Sequence, residues 1–187
     1  MTVLTKNMTY AEFRALEFDD TDNFQYELLN GELVKKASPT VQHQRISMRL
    51  ISAFLKHLDQ NPVGEIFHAP LDVVLNDYNA PQPDIIFIRK ENTDIINEQE
   101  QVVLGTPDIL VEILSPGSIK RDRIEKKELY EKFAVSEFWI VDPNNQSIEV
   151  YQLQEERYQI FAFAAETGAV QSAVLTGLDL DIATVFA

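Results

Sequence analysis

Two short apolar runs, Asp84-Ile-Ile-Phe-Ile88 and Ile109-Leu-Val-Glu-Ile-Leu114, constrain this chain more than any other feature. Neither alternates apolar with polar residues, so each reads as a strand buried on both faces, in the middle of a covered sheet. Each still carries one acid, Asp84 and Glu112. An ionised carboxylate there is costly unless a cation, a metal or hydrogen bonds compensate it. A third charge comes from the next segment. Over Ile119 to Phe133, helical spacing puts Ile119, Asp122, Lys126, Leu129, Tyr130 and Phe133 on one stripe, with Lys120 and Lys127 to the side. Lys126 is therefore expected on the inward face, aimed at a sheet that holds two acids. Spacing alone leaves two readings open. One is a charge constellation with a chemical task; the other is a partly buried ion pair whose ammonium snorkels outward.

The rest of the chain supplies the frame. Residues 1–7 read as a loose tail, and Thr9 with Glu12 forms a capping box for a short helix that ends by Asp19-Asp20. Gln25 to Lys35 reads as a hairpin turned by Asn30-Gly31, with Glu27 and Glu32 flanking the turn. Ser38-Pro39-Thr40 caps a long helix over 40–59, with His43 at the start of its inward stripe as a core or capping histidine, or alternatively a catalytic one. A strand over Glu65 to Leu75, bent at Ala69-Pro70, precedes the Asp84 run. Residues 89–106 read as a polar loop with room for a helical turn, and Glu137 to Asp142 as another apolar strand. Ser147–Leu153 and Arg157–Ala164 make a meander, and 174–187 finishes the edge with a short helix near Asp181–Phe186. This order predicts an α/β (α+β) fold with a central mixed sheet flanked by helices, an N-terminal hairpin and a C-terminal meander.

Composition narrows the chemistry. At 187 residues and 45% hydrophobic content, the expectation is one domain over 1–187 with one sizeable core. The apolar runs fall far short of a membrane span and no charged-then-apolar segment opens the chain, so a cytoplasmic protein without membrane contact is expected. Cysteine is absent, which removes thiolate nucleophiles and thiolate metal sites. Any metal must be held by oxygen or by one of three histidines, which favours Mg2+ or Mn2+. The net charge of −14 argues against general nucleic-acid binding, though not against a local basic surface. Lys120, Arg121, Arg123, Lys126, Lys127 and Lys132 would supply one, weakened by interleaved acids.

Glycine-rich phosphate loops, a GxSxG elbow and paired histidine ligands are all missing from the sequence. A carboxylate pair and a lysine remain, and divalent-metal phosphodiester hydrolysis uses those parts. The acids hold the ion, the ion polarises a phosphoryl oxygen and acidifies a bound water, and the lysine orients that water or offsets transition-state charge.

Pro83-Asp84 with the distant Glu112-Ile-Leu114 resembles the PD-(D/E)xK nuclease signature. Tyr26 to Leu33, His43-Gln44, Gln82-Pro-Asp84, Pro107 to Pro116, Asp122, Lys126 to Tyr130 and Glu137 to Pro143 together resemble the Uma-two family. That family is a large set of restriction-endonuclease-like proteins, especially expanded in cyanobacteria, and the likeness runs from about residue 9 to 186. The resemblance implies a restriction-endonuclease-like core in which Asp84, Glu112 and the Ile113 carbonyl hold a metal. Leu114 stands where the parent signature has lysine, and the likeness assigns that role to Lys126. The acid that many superfamily members carry on the first core helix is absent from 40–59; Glu32 is the candidate substitute, with Glu27 behind it. His43, Asp122 and Gln82 are further candidates from the shared motifs.

The leading expectation is a Mg2+- or Mn2+-dependent DNA endonuclease, dimeric because a duplex has two strands to cut. A catalytically silent interaction module on the same fold is the second, which the net charge favours. A metal-dependent enzyme acting on RNA or a small phosphodiester is the third.

Overall fold

The computed structural model describes residues 7–17, 24–36 and 38–187, so the expected tail over 1–7, all but its last residue, and the end of the first helix at Asp19-Asp20 lie outside the described residues. Helix α1 (Tyr10–Arg14) carries the capping box: Glu12 N–H donates to Thr9 Oγ1, and Thr9 N–H returns to the Glu12 carboxylate at 2.8 Å. Strands β1 (Gln25–Leu29) and β2 (Glu32–Lys36) form the hairpin, with φ of 52° at Asn30 and 75° at Gly31. Two successive positive φ values suit Asn-Gly, whose turn matches the twist of the strands. Thr40 Oγ1 accepts the His43 N–H and so starts the 20-residue helix α2 (Val41–Gln60).

The expected strand over 65–75 is broken at Ala69-Pro70 into β3 (Gly64–His68) and β4 (Val73–Val74), which join different sheets. After β5 (Ile85–Arg89) and a 3-10 turn over Lys90–Ile95 come β6 (Ile96–Asn97) and β7 (Val102–Leu104). The segment expected to be a loop therefore holds two short strands, which pair with β4 in a small sheet of order β4-β7-β6. Strands of two or three residues show no periodicity to read. Strand β8 (Ile109–Ile113) leads to a helix whose first part, Arg121–Lys126, is π-helical and whose second part is α3 (Lys127–Lys132). Strands β9 (Glu137–Asp142), β10 (Ser147–Gln154) and β11 (Arg157–Ala165) form the meander. The tail differs from its expectation: β12 (Ala169–Gln171) and β13 (Asp179–Asp181) pair with each other, and the large sheet ends at β11. Helix α4 (Ile182–Phe186) is present as expected and lies on α2, where Arg49 Nη1 donates to Val185 O at 3.1 Å.

The central six-stranded sheet has the order β11-β10-β9-β8-β5-β3. Only β8 and β9 run parallel, joined by the π/α3 helix as crossover; the other pairs are antiparallel. Side chains alternate between its faces. Ile85, Phe87, Ile109, Val111, Ile113, Trp139 and Val141 pack against α2 and the C-terminal segment, with Phe54 edge-on to Trp139 at 5.3 Å. Ile86, Ile88, Leu110, Phe138 and Ile140 pack on the other side against Leu129, Tyr130 and the small sheet. By the same alternation Glu112 belongs to this second face, the one covered by the helix that carries Lys126, while Asp84, just ahead of β5, meets His43 of α2.

Candidate active site

The edge of β5 brings the two acids together. Ile85 pairs with Val111, and Asp84, just ahead of β5, donates its N–H to Val111 O, so Asp84 lies beside the stretch of β8 that carries Glu112. Asp84 Oδ2 accepts the Ile113 N–H at 2.7 Å and faces His43 Nε2 at 3.1 Å. Burial alone would raise the Asp84 carboxyl, but the His43 hydrogen bond, Lys36 and the Ile113 amide outweigh it and hold the group below its usual value. Burial likewise opposes charge on His43, and its bond to Asp84 wins, lifting the imidazole above its ordinary range.

Glu112 stands in a different balance. Its Oε1 accepts from Lys126 Nζ at 2.9 Å and from Tyr130 Oη at 2.7 Å. Burial, then repulsion from Asp122 and Asp84, pushes its carboxyl up to about 8 against the pull of Lys126. Lys126 Nζ also meets Glu27 Oε2 at 2.9 Å and Asp122 Oδ1 at 3.9 Å, and the lysine is 0% exposed. One ammonium thus meets three buried acids, with Arg121 Nη1 4.0 Å from Glu27 Oε1 as a second cation. Burial raises the Asp122 carboxyl, whereas Glu27, also opposed by burial, is held low by Lys126 and Lys36.

The helix stripe accounts for this placement. Asp122, Lys126, Leu129 and Tyr130 are all buried, as the spacing predicts, while Ile119 is 41% exposed. The wider π turn explains the exception, since its i to i+5 bonding rotates residues ahead of Asp122 out of the α-helical stripe. Lys120 and Lys127 do lie off the face, Lys127 Nζ resting 3.8 Å from the Tyr151 ring centroid.

The hairpin resolves the choice between its two acids. Glu27 pairs with Val34, Leu29 with Glu32 and Gln25 with Lys36, so Glu27, Glu32 and Lys36 share a face. Glu27 is fully buried in the cluster, whereas Glu32, beside the turn, is exposed and outside it. Glu27, not Glu32, is the acid that the fold delivers. Gln82 is only partly in the site: its backbone N–H donates to Glu27 Oε2 at 3.1 Å, while its side-chain amide turns away to Asp72 Oδ1 at 2.7 Å. Lys36 was missed at the level of sequence. Its Nζ donates to the Gln82 carbonyl at 3.0 Å, and its charge acts on Glu27, His43, Asp84, Glu112 and Asp122. A two-residue Asn-Gly turn fixes register, so counting outward from it would have set Lys36 diagonal to Glu27 on one face.

Asp84, Glu112, Asp122, His43, Lys36 and Arg121 line a cleft of about 770 Å³ between the N-terminal half of α2 and the sheet. Lys126 and Glu27 stand behind that lining. A metal's fit rests on the donors. Among the described residues no group of three or more His, Asp or Glu side chains is arranged to hold an ion. Two carboxylates on the cleft wall remain, with Asp84 Oδ1 and Glu112 Oε2 outside the bonds given above. This oxygen-only pair fits Mg2+ or Mn2+, since Mg2+ is commonly held by one or two carboxylates and keeps several waters. A buried acid does not require a metal by itself. Glu137 is fully buried too, and it accepts from Trp139 Nε1, Ser172 Oγ and the amides of Ala173 and Val174 at 2.6–3.0 Å.

A central mixed sheet flanked by helices is a restriction-endonuclease-like architecture. A crystal structure described as a "putative nuclease belonging to DUF820" from Anabaena variabilis has this fold, with a TM-score of 0.76 and 22% identity over 96% of this chain and 97% of that one. The chain belongs to the Uma2 family, whose model, described as "Putative restriction endonuclease", matches residues 10–183. A relative in Synechocystis sp., described as uncharacterized protein slr1290, is 24% identical over 143 residues, which is 75% of this chain and 73% of that protein. Family and fold are those that the sequence motifs imply. Among the described residues no helix is long and apolar enough to cross a membrane.

Proposed function

We propose that this protein is a Mg2+- or Mn2+-dependent endonuclease that hydrolyses phosphodiester bonds in DNA. The observation that carries the reading is the Asp84–Glu112 pair, two carboxylates from neighbouring strand segments at the wall of one cleft. Asp84 and Glu112, with the Ile113 carbonyl, would hold the ion. When bound, the ion polarises a phosphoryl oxygen and lowers the pKa of a water. The chain's own groups do the rest. His43 and the Ile113 amide fix Asp84 through Oδ2 and turn Oδ1 away from those bonds. Lys126 and Tyr130 fix Glu112 through Oε1 in the same way. With no exposure, the Lys126 ammonium acts through Glu112 and Glu27 as a positioning residue, rather than on water or phosphate directly. A two-fold dimer goes with this reading, because a duplex offers two strands, and gel filtration tests it. So does a cytoplasmic place of action.

The deciding experiment is cleavage of supercoiled plasmid with Mg2+ or Mn2+, comparing wild type with the Asp84→Ala, Glu112→Ala double variant. Loss of at least a hundredfold in rate is expected, and equal cleavage by the two proteins ends the proposal.

One observation favours a second reading, a catalytically silent interaction module. Lys126 is wholly paired with acids inside the protein, as in a structural ion cluster. That reading expects no heat of Mn2+ binding in calorimetry.

A further inference from the structure

The position of Lys126 leaves a role unfilled at the cleft: a cation in contact with the substrate's phosphate. Resting on the nuclease reading above, we propose that Lys36 is that cation, a catalytic residue that binds a non-bridging oxygen of the scissile phosphate. Two observations converge on it. Lys36 lines the same cleft as Asp84 and Glu112, whereas Lys126 lies behind that lining. Its ammonium is fixed by a 3.0 Å bond to the carbonyl of Gln82, two residues before Asp84. An ammonium has three N–H donors, so this bond leaves two for a ligand.

Arg121 lines the cleft as well, but Arg121 Nη1 is directed toward Glu27 Oε1 at 4.0 Å, a buried oxygen with no hydrogen bond of its own. Arg121 thus offsets the buried cluster, and Lys36 is the better placed of the two to meet an anion.

The charge logic gives a test that a structural role would not pass. Lys36 repels a metal ion and attracts a phosphate. Removing it should therefore weaken nucleic-acid binding while leaving Mn2+ binding as tight as before or tighter. Wild type, Lys36→Gln and Lys36→Arg would be titrated with a fluorescent oligonucleotide in Ca2+, to hold back cleavage, and separately with Mn2+ by calorimetry. Lys36→Gln is expected to weaken oligonucleotide binding about tenfold, to reduce the slope of log K against log salt by about 0.7–0.9, and to leave Mn2+ affinity undiminished. Lys36→Arg should recover most of the oligonucleotide affinity. Wild-type affinity for the oligonucleotide in Lys36→Gln, with Mn2+ binding intact in both proteins, overturns the role of Lys36 and leaves the nuclease reading standing. Parallel loss of Mn2+ binding and oligonucleotide binding in Lys36→Gln also overturns it, by assigning Lys36 a structural part. A wild-type protein that binds neither probe overturns the nuclease reading, and this proposal with it.

Discussion

Lys126 and Glu112 meet at 2.9 Å with exposures of 0% and 1%, joining the crossover helix to the strand it covers. Their partnership is expected to show as strong energetic coupling. Lys126→Met leaves Glu27, Glu112 and Asp122 without their shared counter-charge and should cost about 3–5 kcal/mol in urea denaturation. It should also raise the Glu112 carboxyl further, a shift readable by carbon-detected NMR titration. Adding Glu112→Gln should return part of the lost stability. A Lys126→Met cost under about 1 kcal/mol would show that the cluster is solvated.

Metal addition should stabilise the protein through the acid pair alone. At a hundredfold excess over Kd, an ion bound only by the folded state adds about 2.7 kcal/mol. For a chain of this size that is a rise in Tm of roughly 5–10 °C. Excess EDTA should remove the rise, and the Asp84→Asn, Glu112→Gln variant should never show it. An equal rise in that variant would place the ion elsewhere.

The two hairpin acids should separate cleanly. Glu32→Gln, on an exposed side chain beside the turn, should change stability by no more than about 0.5 kcal/mol. Glu27→Gln withdraws a carboxylate from Lys126 and should cost about 3 kcal/mol. Comparable costs for the two substitutions would refute the assignment of Glu27 to the cluster.

Acid stability should depend on Asp142. Burial opposes its ionisation, but donation from Asn145, Asn144 and Arg123 outweighs that and holds the carboxyl below its usual value. A folded-state value below the unfolded one stabilises the protein above the unfolded pKa of 3.8, and that stabilisation disappears as pH falls through the lower folded value. Asp142→Asn should therefore be less stable than wild type by about 1 kcal/mol from about pH 5 upward, with the gap closing in more acidic solution. Denaturation curves across that range would decide it; a gap independent of pH would exclude the carboxylate's charge as the cause.

Much of this fold could be read before any coordinates, because its central strands are long and apolar enough to leave little choice. The 84–88 and 109–114 runs had to be interior, and the stripe of Asp122, Lys126 and Tyr130 had to face them. The small sheet of β4, β6 and β7 was hidden because two or three residues carry no pattern. The site was harder. Glu32 and Glu27 share a hairpin face, and only the packing of that hairpin against the sheet says which is covered. Helical spacing places Tyr130 on the inward stripe, but nothing local marks which tyrosine hydroxyl will find a carboxylate. Lys36 lay within reach of register counting from Asn30-Gly31, and the functional signal of a single lysine on a polar ribbon is faint without its neighbours.

The hairpin has a consequence of its own. Asp84 and Glu112 belong to the central sheet, but Glu27 and Lys36 arrive on a separate two-stranded ribbon. That ribbon is tied down through Leu28 and Ala80 and through Asn30 N–H on Asn79 Oδ1. Electrostatics at the cleft can thus be retuned by sequence drift in a peripheral element while the interior strands stay unchanged. Among relatives with this architecture, divergence in ligand preference is then expected to track the ribbon's composition sooner than that of the scaffold beneath it.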